Sequence, residues 1–259
     1  MTLPIKNEKT KFDLIKTDAD TDEPLAGITF RIFSTADEEA EKARQVAEAV
    51  EALRASQELL KQDLFEKQQM ALENLGDVTE ERRAEFIANQ EEELAAFEAG
   101  LEKERKALEE KLMAELEITD TSALGKDYVT DENGQIHLED LTHENTYYVY
   151  EIATKPGYNL DSTIHTFSVD EKGLIVGEKL HQIKLTNQPN VVEISKKDIT
   201  GGEELPGASL TLFDADGNEV ESWVSGKEPH VIKRLPAGIY RLQGNYRAGG
   251  VRAGRGHHL

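Results

Sequence analysis

A lysine, a glutamate and an asparagine, far apart in the chain, each close an alternating apolar stretch. Side chains alternate across a strand, so residues two apart share a face. In Phe12-Asp13-Leu14-Ile15-Lys16 the face of Phe12 and Leu14 ends in Lys16. In Tyr147-Tyr148-Val149-Tyr150-Glu151 the face of Tyr147 and Val149 ends in Glu151, and in Gln182-Ile183-Lys184-Leu185-Thr186-Asn187 that of Ile183 and Leu185 ends in Asn187. Burying an amine or a carboxyl singly is costly. Buried together in an apolar site, both lose the preference for their charged forms, which favours a neutral amine beside a protonated acid. A neutral lysine amine is a nucleophile. Held against a carboxamide, with a carboxyl group to shuttle protons, it would attack and release ammonia. The product is an isopeptide bond from Lys16 to Asn187, tying the first strand of a domain to its last. Each residue also has a plainer reading: Lys16 snorkels at a strand end, Glu151 pairs with a surface lysine, and Asn187 opens the turn before Pro189.

The elements that would position this trio read as strands, with a helical block set among them. Residues 36–117 hold 11 basic and 24 acidic side chains, a net −13 within the chain's −21, with no proline, two glycines and few β-branched residues. Ala43, Val46, Val50, Leu53, Gln57, Leu60, Leu64, Lys67 and Ala71 are spaced alternately three and four apart, and Ile87, Gln90, Leu94, Phe97, Leu101, Glu104 and Leu108 form a second seam. Such spacing predicts a coiled coil whose polar seam positions fix register. Thr35 with Glu38, and Asp77 with Glu80, have capping-box spacing, and Gly76 suits a left-handed cap. Two helices of nearly equal length, roughly 55–60 Å each, should fold back as an antiparallel hairpin and return the chain to its starting point. Phe65, Met70 and Phe86 near its tip form a candidate patch for a partner, or pack the turn.

Outside the hairpin the sequence repeats. Phe12 to Asp18 followed by Pro24 to Phe30 matches Val192 to Asp198 followed by Glu204 to Leu210, at a constant offset of 180 residues that pairs Lys16 with Lys196, Asp18 with Asp198 and Gly27 with Gly207. Ile5-Lys6-Asn7 also matches Leu185-Thr186-Asn187. A shared frame of this kind predicts tandem domains. The expected division is 1–9 as the end of a preceding repeat, 10–189 as a complete domain carrying the insertion 36–117, 190–243 as a partial second domain, and 244–259 as a Gly/Arg-rich tail foreign to the β pattern. Strand signals also lie at Ile164–Val169, with turns at Asn133-Gly134 and Asp216-Gly217. Short antiparallel strands with helix confined to the insertion predict a mainly β, sandwich architecture.

Composition narrows the function. The 259 residues carry 30 basic and 51 acidic side chains, 38% hydrophobic residues and no cysteine. Nucleic-acid binding is disfavoured, because phosphate contact needs clustered Lys and Arg. Disulfides and thiolate metal sites are impossible. No apolar run is long enough to insert in a membrane, and no signal peptide opens the chain. Asp18, Asp20 and Asp22 begin like a calcium loop, but Glu23 stands where glycine is needed and Thr29 at the last ligand position, so a strand-connecting loop is expected. Asp214 and Asp216 belong to a hairpin turn, and His257 and His258 fall in the tail. No metal or cofactor site is expected, and no Ser/His/Asp set, phosphate loop or glycosidase carboxylate pair is present.

The motifs together resemble a known family. Lys-x-Asp, then Pro-Leu-x-Gly-x-x-Phe, a Tyr-rich strand ending in Glu, a Lys-Pro-Gly-Tyr turn (Lys155 to Tyr158) and a closing strand ending in Asn are similar to the Cna B-type, SpaA-like domains. The resemblance covers 10–35 and 118–189 as one domain and 190–243 as the start of a second. It implies a prealbumin-like (Ig-like) antiparallel β-sandwich of Gram-positive pilins and adhesins, with Lys16 as nucleophile, Glu151 as catalytic proton shuttle and Asn187 as acceptor. The hairpin is foreign to the usual domain. In the second domain Lys196 matches, but Gly244 follows Ile239–Gln243 where the glutamate should stand, so Lys196 is expected to remain unpaired. The expected function is a self-locked stalk or pilin-like module on the cell surface, with neighbouring repeats as partners and one autocatalytic event instead of turnover. The alternative is an adhesive module whose hairpin contacts a host or partner protein.

Overall fold

The computed structural model describes residues 10–176, 182–199 and 201–245. The expectations for residues 1–9, and for nearly all of the 244–259 tail with His257 and His258, lie outside the described residues. In chain order the elements are β1 (Lys11–Asp18), β2 (Thr29–Ser34), α1 (Thr35–Glu73), α2 (Glu80–Glu115), β3 (Lys126–Val129), β4 (Gln135–Glu139), β5 (Asn145–Ala153), β6 (His165–Val169), β7 (Ile175–Val176), β8 (Gln182–Asn187), β9 (Val191–Ile194), β10 (Ser209–Phe213), β11 (Glu219–Val224), β12 (His230–Lys233) and β13 (Arg241–Asn245).

The first sandwich pairs a sheet of order β4-β1-β8 with one of order β3-β2-β5-β6-β7. Its core follows the alternation: Phe12, Leu14, Ile28, Phe30 and Val149 are fully buried, and Phe167 stacks on Phe12 with ring centroids 3.8 Å apart. β1 runs antiparallel to β4 and parallel to β8, with Lys16 opposite Leu185 and Asp18 opposite Asn187. The first and last strands of the domain are therefore neighbours, and the faces that end in Lys16 and Asn187 are one face.

The second sandwich repeats this plan. β9 pairs antiparallel with β12 as β1 does with β4, and β10 lies between β11 and β13 as β2 lies between β3 and β5. Leu212, Ile232 and Leu235 form its core, with Val192, Ile194, Trp223, Tyr240 and Leu242 packed around them. β13 carries through Gly244 to Asn245, past the expected boundary at 243, with Gly244 opposite Leu210.

The hairpin belongs to a separate compact unit, Phe33–Gly125. Its caps differ from expectation. The N-cap of α1 is Ser34, whose hydroxyl accepts from the Asp37 amide while Asp37 accepts from the Ser34 amide at 2.7 Å, so the box lies one residue before Thr35/Glu38. The N-cap of α2 is Thr79, not Asp77, because the extended residue immediately before the first helical turn does the capping and Glu80 already lies inside the helix. Gly76 is left-handed, at φ +71°, as expected.

The seam also departs from strict heptads, at Ala43, which is exposed, and beyond Gln57. Leu60 and Lys67 are exposed, as is Ala71, while Lys61, Leu64, Gln68 and Leu72 face inward. On α2, Phe86 replaces Ile87 as an inward position, and Arg105 turns inward beside Glu104, whose carboxylate accepts from Gln57 Nε2 at 3.1 Å. The cause is polar. Gln57 Nε2 donates to the Leu101 carbonyl at 3.2 Å, and its Oε1 accepts from Arg105 at 2.7 Å. Gln68 and Gln90 each donate to the other's backbone carbonyl, at 3.1 and 3.0 Å. Buried amides that find carbonyls on the facing helix set the register in preference to an apolar spacing.

Candidate functional site

The three residues marked by alternation meet in the first sandwich. β1 supplies Lys16, β5 Glu151 and β8 Asn187, and all three are buried at 0%, 3% and 1% exposure. One carboxyl group touches both prospective reactants. Lys16 Nζ lies 3.0 Å from Glu151 Oε2, and Asn187 Nδ2 donates to Glu151 Oε1 at 2.8 Å. The Phe30 ring, 5.4 Å below the amine, closes the apolar wall.

The polar groups here are incompletely satisfied. Lys16 Nζ, Glu151 Oε2 and Asn187 Oδ1 are buried without a hydrogen-bond partner, since the amine–carboxyl approach is close but not aligned for a bond. Each such group costs roughly 1–3 kcal/mol. The sandwich therefore holds an amine, an acid and a carboxamide together at a net local cost.

Thr154 was not marked by the sequence. Its hydroxyl accepts from Asn187 Nδ2 at 2.7 Å, so the carboxamide nitrogen is gripped from two sides while its carbonyl oxygen is left free. Thr154 stands just beyond the end of β5, where alternation no longer applies.

Asp18 has a role other than in the calcium-like loop. It is buried beside Asn187, and Asp20 and Asp22 pair with Lys233 and Lys184 at 2.6 Å each. Asp18 Oδ1 accepts from the Asp20 and Thr21 amides, and Oδ2 accepts from the Tyr158 hydroxyl and the Arg234 guanidinium. Burial alone would raise the carboxyl's pKa, but these bonds outweigh it and hold Asp18 well below the usual carboxylate range. A depressed folded value means stability present above the unfolded value near pH 4, lost as pH falls toward the folded value. Asp18→Asn is thus expected to lower the urea midpoint by a constant amount at neutral pH. The gap to wild type should narrow below about pH 4. A gap that stays constant down to pH 2 would contradict this.

In the second sandwich Lys196 is exposed, unlike Lys16. Gly244 lies opposite Leu210, the residue at the repeat position of Phe30, and a glycine there brings no carboxyl group to the second core.

The paired sheets, with parallel first and last strands in the first sandwich, define a prealbumin-like β-sandwich, and β9–β13 repeat part of its plan. A family model described as the SpaA prealbumin-like fold domain matches residues 91–181 and 190–251, more than half of the chain, and the chain belongs to that family. The matched segments include Glu151 and Lys196 but neither Lys16 nor Asn187. Among solved structures the chain is similar to the Bacillus anthracis TIE protein (16% identity, TM-score 0.39, covering 94% of this chain and 29% of that one). It is also similar to a Streptococcal ancillary pilin (16%, 0.33, 98% and 59%) and to the shaft pilin SpaA from Lactobacillus rhamnosus GG (12%, 0.31, 96% and 92%). The chain thus spans less than two thirds of each of the first two. Comparison with curated proteins gives no match.

Proposed function

We propose that this chain is a structural segment of a Gram-positive cell-surface or pilus protein, whose first sandwich is locked by an autocatalytic bond between Lys16 and Asn187. The observation that carries the reading is the Glu151 carboxyl group, with one oxygen on the amine and the other on the carboxamide nitrogen. In the reaction Lys16 Nζ attacks Asn187 Cγ. The new C–N bond forms, the Cγ–Nδ2 bond breaks, and ammonia leaves. The amine loses one proton to the carboxyl group and Nδ2 gains one from it, so Glu151 ends as it began. The bond replaces a buried amine–acid pair, which is expensive in a low-dielectric core, with a neutral amide. The event occurs once per chain, and its role is to carry tension between β1 and β8 and present neighbouring repeats.

Intact mass of the denatured full chain tests this. The expected value is one ammonia below the sequence mass, with peptide mapping placing the link at Lys16 and Asn187 and leaving Lys196 unmodified. A chain at full sequence mass would overturn the reading.

A second reading rests on the hairpin, where Leu59, Leu60, Phe65 and Met70 are about half or more exposed. In it these residues contact a host or partner protein. Replacing Leu59 and Phe65 with serine would then abolish adhesion of cells displaying the chain while leaving its mass one ammonia below the variant's own sequence mass.

A further inference from the structure

We propose that Asp18 and Tyr158 form an arginine socket at the end of the first sandwich. Arg234, on the turn after β12, plugs it and holds the two sandwiches in one fixed orientation.

The socket is built from the core outward. Asp18 continues the buried face of Phe12, Leu14 and Lys16, and is only 2% exposed. A carboxylate so deep must be fully bonded. The Asp20 and Thr21 amides occupy Oδ1 at 2.7 and 3.1 Å, and Tyr158 donates to Oδ2 at 2.7 Å. The remaining capacity of Oδ2 is taken by Arg234, through Nε at 2.9 Å and Nη2 at 2.6 Å. The same Nε lies 3.2 Å from the Tyr158 hydroxyl, and the guanidinium sits 6.0 Å from the Tyr158 ring centroid. A lysine offers one point charge and cannot reproduce this planar grip.

The backbone around the plug is pinned as closely. The Arg234 amide donates to the Asn190 carbonyl at 3.1 Å, the Asn190 amide to Gly157 at 2.9 Å, and the Asn190 side chain to the Leu235 carbonyl at 2.5 Å. Gly157, at φ +90°, lets the chains approach this far: a Cβ there would lie 2.5 Å from the Arg234 carbonyl oxygen. Gln188 and Pro189, which link the sandwiches, are held too, through the Asn159 amide and a bridge to Tyr158. The exposed Lys233–Asp20 pair on the flank adds little by comparison.

The turn itself is a property of the fold, and the arginine is not. Arg234 is left-handed at φ +59°, and Asp140, after β4 at the corresponding place in the first sandwich, is left-handed at φ +61°. Leucine follows each, Leu235 and Leu141. The fold supplies the projecting position, and in the second sandwich it carries the arginine that fills the socket. The joint does not rest on the cross-link, although Asp18 lies opposite Asn187 and the Ala19 amide bonds the Asn187 carbonyl at 3.0 Å.

Residual dipolar couplings of the ¹⁵N-labelled full chain in a weakly aligning medium test the joint. Amides of β1–β8 and of β9–β13 are expected to fit a single alignment tensor in wild type. In Arg234→Ala they should require two, with Leu212 and Ile232 amide shifts unchanged to show that the second core is intact. Arg234→Lys should resemble Arg234→Ala more than wild type. A single tensor retained in Arg234→Ala, or two tensors in wild type, would overturn the proposal.

Discussion

Glu151→Ala is expected to leave the full chain at the mass its sequence dictates and to cost the first sandwich more stability than any other change in the trio. Two losses combine. The substitution removes the partner of the buried Lys16 amine, which sits 3.0 Å from the carboxyl and is 0% exposed. Breaking a buried pair on one side costs about 3–5 kcal/mol, because the other charge stays behind uncompensated. The covalent link is lost as well. On the loop-entropy scale derived for disulfides, closing a loop of roughly 170 residues contributes about 5 kcal/mol. The two terms share one site and will not add fully. A loss of about 5 kcal/mol or more is expected, which is a large share of the ~5–15 kcal/mol that holds an ordinary domain folded. Lys16→Met separates them: it also prevents the bond, but it leaves no amine in the core and the Glu151 carboxyl group keeps its bond from Asn187 Nδ2, so its loss should be the smaller. Hydrogen exchange of the β1 and β8 amides reads both losses locally, without interference from the hairpin. An ammonia deficit that survives in Glu151→Ala would remove Glu151 from the chemistry. Equal losses in the two variants would remove the stranded amine from the energetics.

The trio was legible because a sandwich buries one face of each strand, and a polar residue on that face has to be accounted for. The same rule reaches Asp18, two residues beyond Lys16, but the Asp-x-Asp-x-Asp spacing drew it into a loop reading. Thr154 gave no signal, since it lies past the end of β5, where side-chain direction is set by the turn. Arg234 gave none either: sequence shows that two repeats share a frame, not which residue of one meets which of the other. In the hairpin, heptad counting favoured Leu60 and Ala71, whereas the structure turns Gln68 inward because its amide reaches the Gln90 carbonyl. Apolar periodicity describes helices whose contacts are apolar, and this seam is held at two levels by glutamine.

Gly134→Ala is expected to damage the site from a distance, through the backbone of β1. Gly134 occupies the turn between β3 and β4 at φ +70°, and its carbonyl accepts the Lys16 amide at 2.7 Å. A Cβ there would lie 2.4 Å from the Lys16 carbonyl oxygen, 3.0 Å from the Leu25 nitrogen and 3.2 Å from Pro24 Cβ. The first two are main-chain atoms that already bond to each other at 2.9 Å, so neither can swing away. Left-handed strain of about 1–2 kcal/mol and overpacking of about 1–3 kcal/mol put the expected loss near 3 kcal/mol. The displaced strand is the one that aims the amine. A misplacement of about 1 Å can slow an oriented reaction roughly a hundredfold, so a substantial uncross-linked fraction should appear although Lys16, Glu151 and Asn187 are all present. Gly27→Ala provides the control. Gly27 is also left-handed, at φ +79°, but nothing lies within 4 Å of its would-be Cβ. It should lose only the conformational part, about 1–2 kcal/mol, and cross-link completely. The cross-linked fraction read by intact mass of the purified chains, beside chemical unfolding, distinguishes the two. If Gly134→Ala matched Gly27→Ala in both, the close packing of this turn on β1 would have no part in aligning the amine.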